Sequence, residues 1–249
     1  MTTTVAWLCG TGFSDRVDGV SLEFARHLDP ARFEFQAIPY PADFGTHTSY
    51  IESVHVGRRA LAAAVRATPH RAIIGGYSQG AYIAGSLASD IGLGRYPDLD
   101  VLACALIADP ARPRGAGMPG EAAAPGYGIS GPRDPIVDLP TWYAAVYDDP
   151  ITALPAGSPL RGLADLTEWF SLASPEAALA WGFDLVRRAK ARRWQQWWSA
   201  TNLIACTEAI DQARRYLPRP VGGGRHDAAY IELGLAARLA QCVNREVRP

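Results

Sequence analysis

The sequence predicts an α/β fold in which a central, mainly parallel sheet carries helices on both faces. Two observations lead there. Apolar runs of strand length alternate with helical patterns through the first half of the chain, the order expected of parallel strands joined by crossover helices. The 249 residues, 48% of them hydrophobic, also suffice for one large core, so a single domain over 1–249 is expected.

In order, TVAWLCG reads as a buried strand ending in a glycine turn, and DGVSLEFARHL has helical spacing. FEFQAIPYP is a second strand stopped by proline, and YIESVHVGRRALAAAVRAT is a long amphipathic helix with its alanines toward the core. RAIIGGY is the third strand, QGAYIAGSLASDIG the helix behind it, and DVLACALIADP the fourth strand. After a Gly/Pro/Ala-rich loop over about 110–140, the aromatic run TWYAAVYDDP reads as a strand ending at Asp149-Pro150. The pattern then turns helical over about 151–215, which marks an insertion, with Ser174-Pro175-Glu176 as a helix start. VGGGRHDAAYIELGLAARLAQCV closes the chain as a glycine loop, a histidine and one amphipathic helix.

Composition narrows the function. With 24 basic and 25 acidic residues the net charge is -1, without the basic excess of a nucleic-acid binder. No apolar run approaches a membrane span. MTTTVAWLCG has neither the charged start nor the small-residue cleavage site of a secretory signal, so none is expected. Cys9, Cys104, Cys206 and Cys242 are scattered in apolar stretches. They read as buried, reduced side chains and not as a disulfide framework or a zinc site.

The stretch RAIIGGYSQGAYIAG (71–85) carries the chemistry. A Gly-x-Ser-x-Gly turn between a strand and a helix is a nucleophile elbow. Its serine takes a strained conformation that lifts the hydroxyl above the sheet, and the glycines give room where a side chain would strike the neighbouring elements. The pattern is short and weak alone, but the strand before it and the helix after it are those the elbow needs. Ser78 is therefore the candidate nucleophile. Such a serine needs a base and a carboxylate to hold that base, in the chain order serine, acid, histidine for this fold. His27, His47, His55 and His70 precede Ser78 and only His226 follows it, so His226 is the candidate base.

For the acid, Asp134, Asp138, Asp148 and Asp149 fall between them. Asp134 and Asp138 sit in a Gly/Pro loop and read as turn residues. Asp149 and Asp148 end a strand-like run, where the sheet opens onto a site. Asp149 is preferred, followed by Asp148 and Asp134. For the oxyanion, the backbone amides of Gln79 and Thr11 are the candidate donors, the latter in the Gly10-Thr11-Gly12 turn. No metal or organic cofactor is required by this chemistry.

The segments WLCGTG, GGYSQGA, ADPARP, GYGISG, WYAAVYDDPIT and GRHDAAY, in this order over most of the chain, resemble the lysin B family of mycobacteriophage endolysins. The resemblance implies a cutinase-like serine esterase of the α/β-hydrolase fold, with a helical segment between acid and histidine. It implies cleavage of the ester joining mycolic acids to arabinogalactan in the host cell wall, and it places the acid at Asp149. It further implies a protein made in the host cytoplasm and acting on the envelope after release. Two positions depart from the family. Cys9 stands where a histidine often precedes the Gly-Thr-Gly, and Asp148 stands where the acid usually follows a glycine.

A secreted cutinase or general lipid esterase is the second reading, and a non-catalytic protein on the same scaffold the third. Trp169, Trp181, Trp194, Trp197 and Trp198 crowd the insertion. By default they pack against the sheet domain. The competing expectation is that RRAKARRWQQWW forms a basic, aromatic surface that meets a long acyl chain and an anionic envelope.

Overall fold

A computed structural model describes residues 2–158, 160–162, 211, 212, 214–216 and 223–248. Its five strands are β1 (Thr3–Leu8), β2 (Phe33–Ala37), β3 (Ala72–Tyr77), β4 (Val101–Ile107) and β5 (Thr141–Ala144). They form one sheet in the order β2-β1-β3-β4-β5, and every neighbouring pair is parallel. The helices that lie wholly within the described residues are α1 (Gly19–Arg26), α2 (Tyr50–Ala67), α3 (Gln79–Gly92), α4 (Ala228–Glu232) and α5 (Leu235–Glu246). Most of the 151–215 insertion, with its five tryptophans and Cys206, lies outside the described residues.

Strands β1 and β3 are buried along their whole length, which is why they read as continuous apolar runs. Alternation along them divides the core in two. Val5, Trp7 and Ile73 face α1 and α5, meeting Phe24, Leu239 and Val243. Ala6, Leu8 and Ile74 face α2 and α3, meeting Leu61, Ile83 and Leu87. Helix α2 starts in a capping box, with Ser49 and Glu52 each bonding the other's backbone N–H. It buries Val54, Gly57, Leu61 and Val65, one stripe at helical spacing.

The strand order fixes where a site belongs. From β1 the chain steps to β2 on one side and then to β3 on the other. The loops after β1 and β3 therefore diverge and leave a crevice at the carboxyl ends of these strands.

Two elements differ from expectation. The strand read over 141–150 stops at Ala144, because the next backbone donors leave the ladder. The Val146 N–H goes to the Tyr230 hydroxyl at 3.2 Å, and the Asp149 N–H turns back to the Val146 carbonyl at 3.2 Å. The final helix is two helices, broken at Gly234, whose φ of 67° is left-handed. Cys9, Cys104 and Cys242 are buried free thiols, as their apolar settings predict.

Glycine is required where β3 meets α3. A Cβ on Gly76 would lie 2.3 Å from the Gly80 carbonyl carbon, and one on Gly80 would lie 2.0 Å from the Leu8 carbonyl oxygen. Gly80→Ala is expected to lower stability by about 1–3 kcal/mol or more, measured by chemical denaturation. A second expectation concerns pH. Burial pushes the Cys9 thiol from 9.0 up to about 11, and the charge of Asp18 adds to the effect. Between these values the unfolded chain releases its proton while the folded one keeps it, so this contribution is full below pH 9.0 and fades toward about 11. Denaturation at about pH 8 and about pH 10.5 should show the fall, and Cys9→Ala should reduce it.

Candidate active site

Ser78 joins β3 to α3 with φ 54° and ψ −116°, a conformation costing on the order of 1–3 kcal/mol for a residue with a side chain. The turn is pinned by the Ser78 N–H, which donates to the Ile107 carbonyl of β4 at 2.9 Å. The backbone twist lifts the side chain out of the sheet, and Ser78 Oγ lies 2.8 Å from His226 Nε2.

His226 precedes α4 and its ring is buried. Nδ1 faces the Asp149 carboxylate, at 2.9 Å from Oδ2 and 3.2 Å from Oδ1. The rings of Tyr77 and Tyr216 flank the imidazole with centroids at 5.5 and 5.3 Å. The Tyr77 hydroxyl donates to the His226 carbonyl and so fixes the backbone beneath the ring. Asp149 is fully buried. Besides His226 it accepts the Tyr230 hydroxyl at 2.7 Å on Oδ2 and the Ile151 N–H at 2.9 Å on Oδ1. A hydroxyl, an imidazole and a buried carboxylate thus stand in a hydrogen-bonded line. Such a line can draw a proton from the hydroxyl and stabilise the imidazolium that forms.

The other acids point elsewhere. Asp148 accepts Arg225 Nε at 2.6 Å and Arg215 Nη1 at 3.4 Å. Asp134 is exposed beside Arg95, at 3.9 Å. Asp138 occupies a left-handed turn position with φ 56°. Among these four, Asp149 alone meets His226 in the described residues.

Thr11 lies in the loop after β1, exposed at the rim of the crevice. A Cβ placed on the preceding Gly10 would stand 3.6 Å from the Ser78 Cβ, so this loop runs beside the serine. Gln79 opens α3, where the first N–H groups have no intrahelical acceptor. Neither the Thr11 nor the Gln79 amide has a hydrogen-bond partner among the described residues. The Gln79 side chain is buried, donating to the Asp43 carbonyl at 3.0 Å and accepting the Tyr40 hydroxyl at 3.3 Å. Tyr40 also donates to the Cys9 carbonyl at 2.6 Å. At the position where the resembled family often has histidine, Cys9 thus presents a buried thiol held neutral at ordinary pH, with no base to offer.

Sequence reasoning missed the residues that hold these parts still. Asp18 caps α1 and reaches back to the loop. Its Oδ2 accepts the Gly10 N–H at 3.1 Å and the Ser21 hydroxyl at 2.7 Å, and its Oδ1 accepts the Ser21 N–H at 2.8 Å. The signal was present in DGVS, a capping pattern directly after the loop. Arg112, fully buried, sends Nε to the Thr152 carbonyl at 2.8 Å and Nη2 to the Ala124 and Pro125 carbonyls at 3.0 and 2.8 Å. It ties the turn that carries Asp149 to the loop after β4. Burial lowers its pKa, opposed by the charges of the titratable groups around it, Asp109 and Asp149 among them. Asp109 pairs with the buried Arg133 at 2.5 Å beside the same edge. Among the described residues no group of His, Cys, Asp and Glu is placed to hold a metal ion, and no helix is long and apolar enough to cross a membrane.

No family model matches the chain, and no curated protein matches it. Solved structures do. Lysin B from mycobacteriophage D29 aligns over 87% of this chain and 91% of its own, with a TM-score of 0.57 and 15% identity. An acetylxylan esterase aligns over 74% and 97% at TM-score 0.45 and 19% identity. A cutinase-like protein from Cryptococcus sp. aligns over 61% and 78% at TM-score 0.45 and 17% identity. The likeness to lysin B shows the fold, which is that of an α/β-hydrolase.

The two neighbouring acids separate cleanly by experiment. A fluorophosphonate probe is expected to label Ser78 in the wild type. Asp149→Asn should slow labelling on the order of 10⁴-fold, and Asp148→Asn by less than about tenfold.

Proposed function

We propose that the protein is a carboxylic ester hydrolase working through Ser78, His226 and Asp149. The observation that carries this reading is the contact chain from Ser78 Oγ to His226 Nε2 and from His226 Nδ1 to Asp149, at 2.8 and 2.9 Å, on a serine with strained φ. Ser78 attacks the ester carbonyl while His226 takes its proton and Asp149 stabilises the imidazolium. The Gln79 and Thr11 amides donate to the oxyanion. His226 then gives its proton to the leaving alcohol, and water hydrolyses the acyl-enzyme with the same histidine as base.

For the substrate we infer the ester between mycolic acids and arabinogalactan of a mycobacterial wall. The sequence motifs from WLCGTG to GRHDAAY support this reading, and the fold shared with a phage lysin B is compatible with it. A host-made enzyme released at lysis belongs to the same reading, as does lipid contact through the tryptophan-rich insertion. A general lipid esterase is the alternative.

Mycolyl-arabinogalactan-peptidoglycan treated with wild type is expected to release free mycolic acid, detected by mass spectrometry, whereas folded Ser78→Ala releases none. Hydrolysis of short p-nitrophenyl esters without mycolate release would retain the esterase and discard the wall substrate. Near-normal turnover by Ser78→Ala would remove the serine from the mechanism.

A further inference from the structure

The reacting groups leave one buried phenol unexplained. Tyr230 follows His226 by four residues and lies on the short helix α4, fully buried. Its hydroxyl donates to Asp149 Oδ2 at 2.7 Å and accepts the Val146 N–H at 3.2 Å. The carboxylate oxygen it holds is the one nearer to His226 Nδ1. The Ile151 N–H holds the other oxygen at 2.9 Å, so the carboxylate is gripped at both ends and has one orientation. Through Val146 the same phenol also ties the acid to the segment leaving β5.

We propose that Tyr230 is the positioning residue of the acid: its hydroxyl holds Asp149 Oδ2 aimed at His226 and shares the carboxylate's charge with the imidazole. This rests on the serine-hydrolase reading above. Burial, and then the charge of Asp149, raise the Tyr230 phenol well above its ordinary range, so it remains a donor at any working pH. The other titratable groups facing the cluster are Tyr77 from β3, Tyr216, Arg112 after β4, and Asp227 beside the histidine. None of them hydrogen-bonds to Asp149 among the described residues.

Removing the donor gives a signed effect. With one partner fewer, the Asp149 carboxylate turns more of its charge on His226, and the imidazolium is favoured. For Tyr230→Phe the acid limb of kcat/KM is therefore expected to move up by about half a pH unit. Its kcat should fall about tenfold, with KM within about twofold of wild type. 3-Fluorotyrosine at position 230 keeps the shape and donates more strongly, so its acid limb should move down. The His226 titration, followed by NMR in the same proteins, should shift in the same two directions without any need for turnover.

A purely structural role would lower the melting temperature and leave the pH profile in place. Profiles and His226 titrations superimposable on wild type in folded protein would overturn the proposal. If Tyr230→Phe does not fold, the fluorotyrosine protein decides alone. Absence of phosphonate labelling in wild type would strike the serine-hydrolase reading instead, while the NMR titration would still read the Tyr230 contact.

Discussion

Helix α3 lies so close to β1 and β3 that no side chain fits between them at Gly76 or Gly80. This close approach organises the rest. It forces the chain to turn within one residue, and that residue is Ser78, held with positive φ by the Ile107 carbonyl behind it. A positive φ in a serine persists only where the surroundings over-determine it. Here the surroundings are two fully buried strands and a helix whose first turn is packed on backbone. The same packing leaves the Gln79 amide pointing out of the helix end beside the serine.

Opposite the elbow the construction is different. The acid turn carries no helix or long strand of its own, and polar groups hold it in place of apolar packing. Arg112 and Arg161 are both almost wholly buried, and their hydrogen bonds go to backbone carbonyls of the loops around them. Arg161 also stacks on the Tyr127 ring, at 3.4 Å from its centroid. A guanidinium is suited to this because its planar fork reaches several acceptors at once. The Asp149–Leu154 turn is thereby bound to residues 127–129 through paired backbone bonds and Arg161, and to residues 124–126 through Arg112.

What the sequence revealed follows the same division. The elbow was legible because its constraint is local: strand, glycine, serine, glycine and helix are contiguous, and the helix bounds read from the pattern are those observed. Chain order singles out His226 as the candidate base, and the fold brings its ring to Ser78. The candidate acid was harder to choose, because Asp148 and Asp149 are adjacent and differ only in direction. Which of them turns inward depends on Arg225 and Arg215 drawing Asp148 away, and on Tyr230 and Ile151 receiving Asp149. Those partners are distant in sequence or act through backbone, and no residue pattern announces them. The end of β5 was misread for the same reason: a hydroxyl from α4 takes the N–H that a sixth strand residue would have used.

The Ser78–His226 contact joins residues 148 positions apart, and the His226–Asp149 contact joins residues 77 apart. Helix α5, which packs against α1 and belongs to one half of the core, follows His226 in the chain. The two side chains can therefore touch only when the sheet and the elements after it have come together. Docking of α4 and α5 thus governs the contact between Ser78 and His226, and a change that loosens those helices would part the two side chains without altering either.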